Sequence, residues 1–148
     1  MNNKIPPPIV TLFFGLCIYL SRSYFPEFSS SVLNSLSIIS FVIGISVFVA
    51  AVSSFKKQET TVNPISIEKA SSLVVNGIFK YSRNPMYLGM SFILLGLTFK
   101  FNVIGGLLFT SMFMLFITIF QIKPEEAAME KLFDQEWKDY TKNVRRWL

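Results

Sequence analysis

"VLNSLSIISFVIGISVFVAAVSSF", residues 32–55, decides the fold. No Asp, Glu, Lys or Arg occurs anywhere between Phe28 and Phe55. A helix over residues 32–55 is about 36 Å long at 1.5 Å per residue. Crossing the hydrocarbon of a bilayer takes roughly 20 apolar residues. The stretch therefore reads as a transmembrane helix, and the rest of the chain repeats its pattern. Residues 9–24 follow "IPPP", where proline starts a helix but does not sit within one. A secretory leader is the competing reading of this first run, but no small-x-small cleavage site follows it and further apolar runs do. Between Met86 and Ile122 only Lys100 is charged, and "FNVIGG" breaks that run into residues 86–101 and 103–122. The expectation is an all-α integral membrane protein of one domain, with four spans, a cytoplasmic loop at 56–85 and a C-terminal helix at 124–144.

Basic residues set the orientation, because cytoplasmic loops carry the excess of Lys and Arg. With the N-terminus inside, Lys4, the 56–85 loop and the tail from Lys123 hold 12 of the 14 basic residues. Arg22 and Lys100 fall outside. Both termini are thus expected in the cytoplasm, at the plasma membrane if the cell is bacterial. The net charge of +5 is explained by these membrane-flanking residues rather than by nucleic acid.

The residue inventory excludes much chemistry. His is absent and Cys17 is the one cysteine, set in an apolar run where it packs. There is no Cys/His zinc site, no disulfide framework and no histidine-assisted nucleophile. No span carries an ionisable residue in its interior, which argues against an ion-coupled transporter. A scaffold without a site is the other non-enzymatic reading, and it makes Arg83, Asn84 and Glu125 freely replaceable.

Two polar clusters remain, both assigned to the cytoplasmic face. In "YSRNPMYLG", residues 81–89, Arg83, Asn84, Pro85, Met86 and Tyr87 can simply start a helix at a membrane interface. They can equally present side chains and free N–H groups to a polar ligand. Glu125 and Glu126 can complement a helix dipole in a first turn, or bind a cationic ligand. Beyond them Met129, Leu132, Phe133, Trp137, Tyr140 and Val144 recur at helical spacing. One amphipathic helix with a buried face of Met129, Leu132, Phe133 and Trp137 is expected, entered through Pro124 in its first turn.

The order of these pieces, "TTVNP", then "SSLVVNGIFKYSRNPMYLG", then a hairpin, then "EEAAMEKLFDQEWKDYTKNVRRWL", resembles the isoprenylcysteine carboxyl methyltransferase family and its phospholipid methyltransferase relatives. The match covers residues 60–148 and is specific only as the combination of both halves. The resemblance implies an integral membrane methyltransferase that uses S-adenosyl-L-methionine, held at the cytoplasmic helix ends and covered by the C-terminal helix, with no metal. It implies a cofactor-lining role for Ser71, Leu73, Val74, Phe79, Asn84, Pro85, Met86, Tyr87, Glu125 and Glu126, and a catalytic role for Arg83, Asn84 and Tyr87. Many relatives have His where this chain has Asn84, so no titrating base acts there. Those that methylate prenylcysteine carry an Arg shortly before the acidic pair, near the place of Gln121 here. The acceptor is lipophilic, a carboxylate as in prenylcysteine or the amine of a phospholipid head group.

The orientation is directly testable. Reporters fused after Leu148 and within residues 22–31 should lie on opposite sides of the membrane; both on one side contradicts four crossings.

Overall fold

The computed structural model describes residues 5–57 and 73–148, so Ser71 and half of the 56–85 loop lie outside the described residues. The described residues form helices and turns without a strand. They are α1 (Pro7–Ser21), α2 (Ser31–Lys57), α3 (Pro85–Phe101), α4 (Val103–Ile117) and α5 (Lys123–Asn143). Short 3-10 turns occupy Arg22–Tyr24 and Gly77–Lys80. Two helical stretches, α2 and the continuous run Val103–Asn143, are long and apolar enough to cross a membrane.

That continuous run departs from the expected break at Pro124. A five-residue π turn, Thr118–Ile122, joins α4 to α5. The cause is Pro124 itself. A proline inside a helix lacks one N–H, and its ring clashes with the carbonyl four residues earlier. Widening the preceding turn relieves that clash, and Lys123 N–H donates to the Thr118 carbonyl five residues back. Glu125 and Glu126 fall in the first turn of α5, which the π turn joins directly to α4.

Helix α3 is the centre of the bundle. It packs most extensively along α2, and α1 and α4 cover its other sides. The α2–α3 contact is a backbone contact. A Cβ on Gly44 would stand 2.8 Å from the Gly89 carbonyl oxygen, and a Cβ on Gly89 would stand 2.8 Å from that of Gly44. Nearer the other end, Ser37 Oγ donates to the Gly96 carbonyl at 2.8 Å. Small residues and hydroxyls at helix contacts are how helices associate where lipid supplies no hydrophobic drive. The interior of this bundle holds Ser37, Ser40, Ser91, Thr98 and Thr110, whereas Leu12, Phe13, Val32, Ile38, Val42 and Leu115 are exposed. Apolar outside and small-polar inside is the pattern of a protein dissolved in lipid.

Asn102 reverses the chain between α3 and α4. Its side chain accepts from Gly105 N–H at 3.0 Å and donates to Ser21 Oγ at 3.1 Å, so one residue caps α4 and ties in the end of α1.

Helix α5 also departs from expectation. Asp134, at φ 30° and ψ −97°, bends it. The periodic face expected over residues 129–144 is interrupted there. Met129 and Phe133 pack before the bend, and Trp137, Tyr140 and Val144 are buried after it. Leu132, expected on the buried face, is 43% exposed.

The glycine contact predicts an asymmetric response. Gly89→Val should destabilise the protein by at least about 1–3 kcal/mol, because backbone on both helices must move. Gly15→Ala should cost far less, since its nearest neighbour is the end of the flexible Leu97 side chain. Thermal unfolding in detergent checks both.

Candidate functional site

The chain at the α3 N-terminus is held in an unusual way. Asn84 stands at the N-cap position but makes no capping bond with its side chain. Instead its Nδ2 donates to the Arg146 carbonyl at 3.0 Å. Ser82 Oγ donates to the same carbonyl at 3.4 Å and accepts from Asn84 N–H at 3.1 Å. Arg83 N–H donates to the Arg145 carbonyl at 3.0 Å. Residues 82–84 are thus strapped to the last four residues of the chain. Trp147 packs onto the core cluster that contains Tyr87 and Ile122.

The two acids receive opposite treatment. Glu126 takes a guanidinium on each side, Arg83 at 3.0 Å and Arg146 at 2.6 Å, and Arg146 Nε also reaches both of its oxygens. Such forked pairs are directional as well as strong. Arg83 lies over the Trp137 ring at 5.7 Å, which ties the pair to α5. Glu125 has no basic partner among the described residues. Its one hydrogen bond comes from Tyr87, whose hydroxyl donates to Oε1 at 2.6 Å. Burial pushes the Glu125 carboxyl up to about 7; the Tyr87 bond opposes that rise and the neighbouring Glu126 charge adds to it. A second group nearby is also unsatisfied. Arg83 Nε is buried and has no acceptor among the described residues. Native structures pair nearly all such atoms.

Of the residues expected at a site, Arg83, Asn84, Tyr87, Glu125 and Glu126 meet in this one network. Pro85 is fully buried as the first residue of α3. The apolar candidates divide between its flanks. Val74 and Phe79 are buried with Ala51 at the end of α2, where Met86 and Phe55 join them. Leu73 packs against Trp137, Tyr140 and Val144. Tyr140 fastens the two flanks together by donating to the Phe79 carbonyl at 2.7 Å.

Arg145, Arg146 and Trp147 were given no site role by the sequence reading, which ended the C-terminal helix at residue 144. Their signal was present: two arginines and a tryptophan follow the last helical residue, and an acid in excess stands at 125–126. Gln121 is also buried here, donating to the Ile5 carbonyl at 2.9 Å. No cluster of three acidic or cysteine side chains among the described residues is placed to hold a metal. A recess of about 220 Å³ lies at the far end of α3, between Phe99–Phe101 and the start of α2, and shares no residue with this network.

A protein-family model described as phospholipid methyltransferase matches residues 33–136, well over half of the chain. No curated protein and no solved structure matches. The matched stretch includes both halves of the network, residues 83–87 and the acid pair, while the strap formed by Arg145 and Arg146 lies beyond it. The chain belongs to the phospholipid methyltransferase family, within the isoprenylcysteine/phospholipid methyltransferase group.

Proposed function

We propose that the network of Arg83, Asn84, Tyr87, Glu125 and Glu126 binds S-adenosyl-L-methionine and directs its methyl to a lipophilic acceptor. The protein is on this reading a four-span methyltransferase, with both termini and the site at the cytoplasmic face. The observation that carries the reading is the inequality of the acid pair. Glu126 is neutralised by two arginines, whereas Glu125 is a buried carboxyl without a cation among the described residues. It lies one residue from an ion pair whose Arg83 Nε has no acceptor among the described residues. A carboxylate seeking a cation and a guanidinium N–H seeking an anion match the two charges of an amino-acid end group.

The residue types fit that cofactor. Bound there, S-adenosyl-L-methionine supplies a sulfonium methyl whose transfer needs alignment and a desolvated acceptor more than a strong base. A chain without His meets that requirement. Glu125 holds the cationic end, and Tyr87 orients Glu125 through its hydroxyl. Asn84 fixes the loop by its bond to the strap, which shields the site from water. Leu73, Val74, Phe79 and Met86 supply apolar walls, with Ser71 at the start of the same stretch. The family description favours a phospholipid, methylated on its head-group amine; a prenylcysteine-like carboxylate is the other acceptor.

The Glu125 carboxyl gives this reading a pH signature. Its pKa is raised from 4.5 to about 7, so folding favours the neutral form. The protein alone is therefore most stable below the ordinary carboxylate range and loses that contribution as pH rises through about 7. Cation binding runs the other way. Affinity for S-adenosyl-L-methionine should climb up to about tenfold per pH unit from about 5 to 7 and then flatten. Glu125→Gln should remove that slope and weaken binding roughly 10- to 100-fold, the loss of one charge-assisted hydrogen bond. Calorimetric titration across pH checks both; unchanged affinity in the variant removes Glu125 from the site.

A further inference from the structure

The recess at the far end of α3 is independent of the methyl-transfer reading. Helix α3 runs from Pro85 at the network to Phe101 at the recess, about 25 Å away along the axis. Over residues 5–55 and 86–122 the chain carries three charged side chains, Arg22, Glu27 and Lys100. They come from three separate segments: the turn after α1, the link to α2, and the end of α3. All three line this recess.

Their state is equally specific. None of the three forms an ion pair among the described residues. The Arg22 guanidinium lies over the Tyr19 ring at 4.3 Å, a contact made by its face that does not use its N–H groups as hydrogen-bond donors. Ser30 and Asn34 add polar groups, and Leu33 contributes an apolar wall. Tyr24, two residues after Arg22 in the same turn, is 86% exposed, as suits an amphipathic ring at a membrane–water boundary.

We propose that this recess seats the head group of a zwitterionic phospholipid, taken from the leaflet opposite the methyl-transfer site. The phosphate lies between Arg22 and Lys100, and the cationic amine meets Glu27. Two cations alone suit any anionic lipid. The carboxylate beside them selects a head group that carries a positive end, and disfavours one that is only negative. The apolar wall at Leu33 continues into the lipid-facing surface of α2, where acyl chains run. The recess thus pins the α1–α2 link and the end of α3 at a fixed depth.

The test uses the full chain in nanodiscs of equal phosphatidylethanolamine and phosphatidylglycerol, with native mass spectrometry of the released protein. The wild type should retain one phosphatidylethanolamine in preference to phosphatidylglycerol. The doubly substituted Arg22→Gln, Lys100→Gln protein should lose about tenfold in retention. Glu27→Gln should keep a lipid but lose the preference. These are exposed polar positions, so folding should be intact, and melting temperatures in lipid-free detergent check that. Equal retention by all three proteins overturns the site. Thermal stabilisation of the detergent-solubilised protein by inorganic phosphate, equal to that by dihexanoyl phosphatidylethanolamine, overturns the lipid assignment in favour of a simple anion site.

Discussion

Glu126 holds this end of the molecule together. Its carboxylate is shared between Arg83, just before α3, and Arg146, three residues past the end of α5. Both arginines are more than half buried, so breaking the pair leaves charge in a poorly solvated place, which is far more costly than losing a surface bridge. The bonds from Ser82 Oγ, Arg83 N–H and Asn84 Nδ2 to the carbonyls of Arg145 and Arg146 accompany that anchor. So does the position of α5 over the loop, through Trp137 beneath Arg83. With Glu126 committed, its neighbour Glu125 faces Tyr87 with no cation among the described residues. One ion-pair geometry thus produces both the closure of the site and the unbalanced carboxyl inside it.

The bundle makes the arrangement possible. Continuous helix from Val103 through the π turn to Asn143 carries the acid pair on an element whose apolar part is long enough to cross a membrane. Glycine contact at Gly44 and Gly89 brings α2 and α3 close enough that Ala51, Val74 and Phe79 close one flank of the site. Proline at 124 and proline at 85 have related effects. One widens a helix just before the acids, and the other begins a helix just after Arg83 and Asn84.

Much of this was legible in the sequence, and for physical reasons. A charge-free apolar run over residues 29–54 suits a setting without water, and α2 covers nearly all of it as a helix long enough to cross a membrane. The asymmetry of Lys and Arg put residues 83–87 and 125–126 at one face, and these are the residues that meet. What escaped was local geometry. Periodicity assigned Leu132 to the buried face because a straight helix was assumed, and the bend at Asp134 turns it out. Pro124 looked like a helix start because a mid-helix proline is ordinarily costly; the π turn accommodates it. The strap escaped because Val144 to Leu148 has no period to read, and its partners lie some 60 residues away in sequence.

A photochemical footprint tests the central claim most directly. Purified full-length protein in detergent is irradiated with radiolabelled S-adenosyl-L-methionine, and the labelled peptides are mapped. The arrangement predicts covalent label confined to peptides containing residues 82–90 or 124–137, and its loss when unlabelled S-adenosylhomocysteine competes. Label absent, spread over the chain, or indifferent to the competitor would contradict a cofactor pocket built by Tyr87 and Glu125.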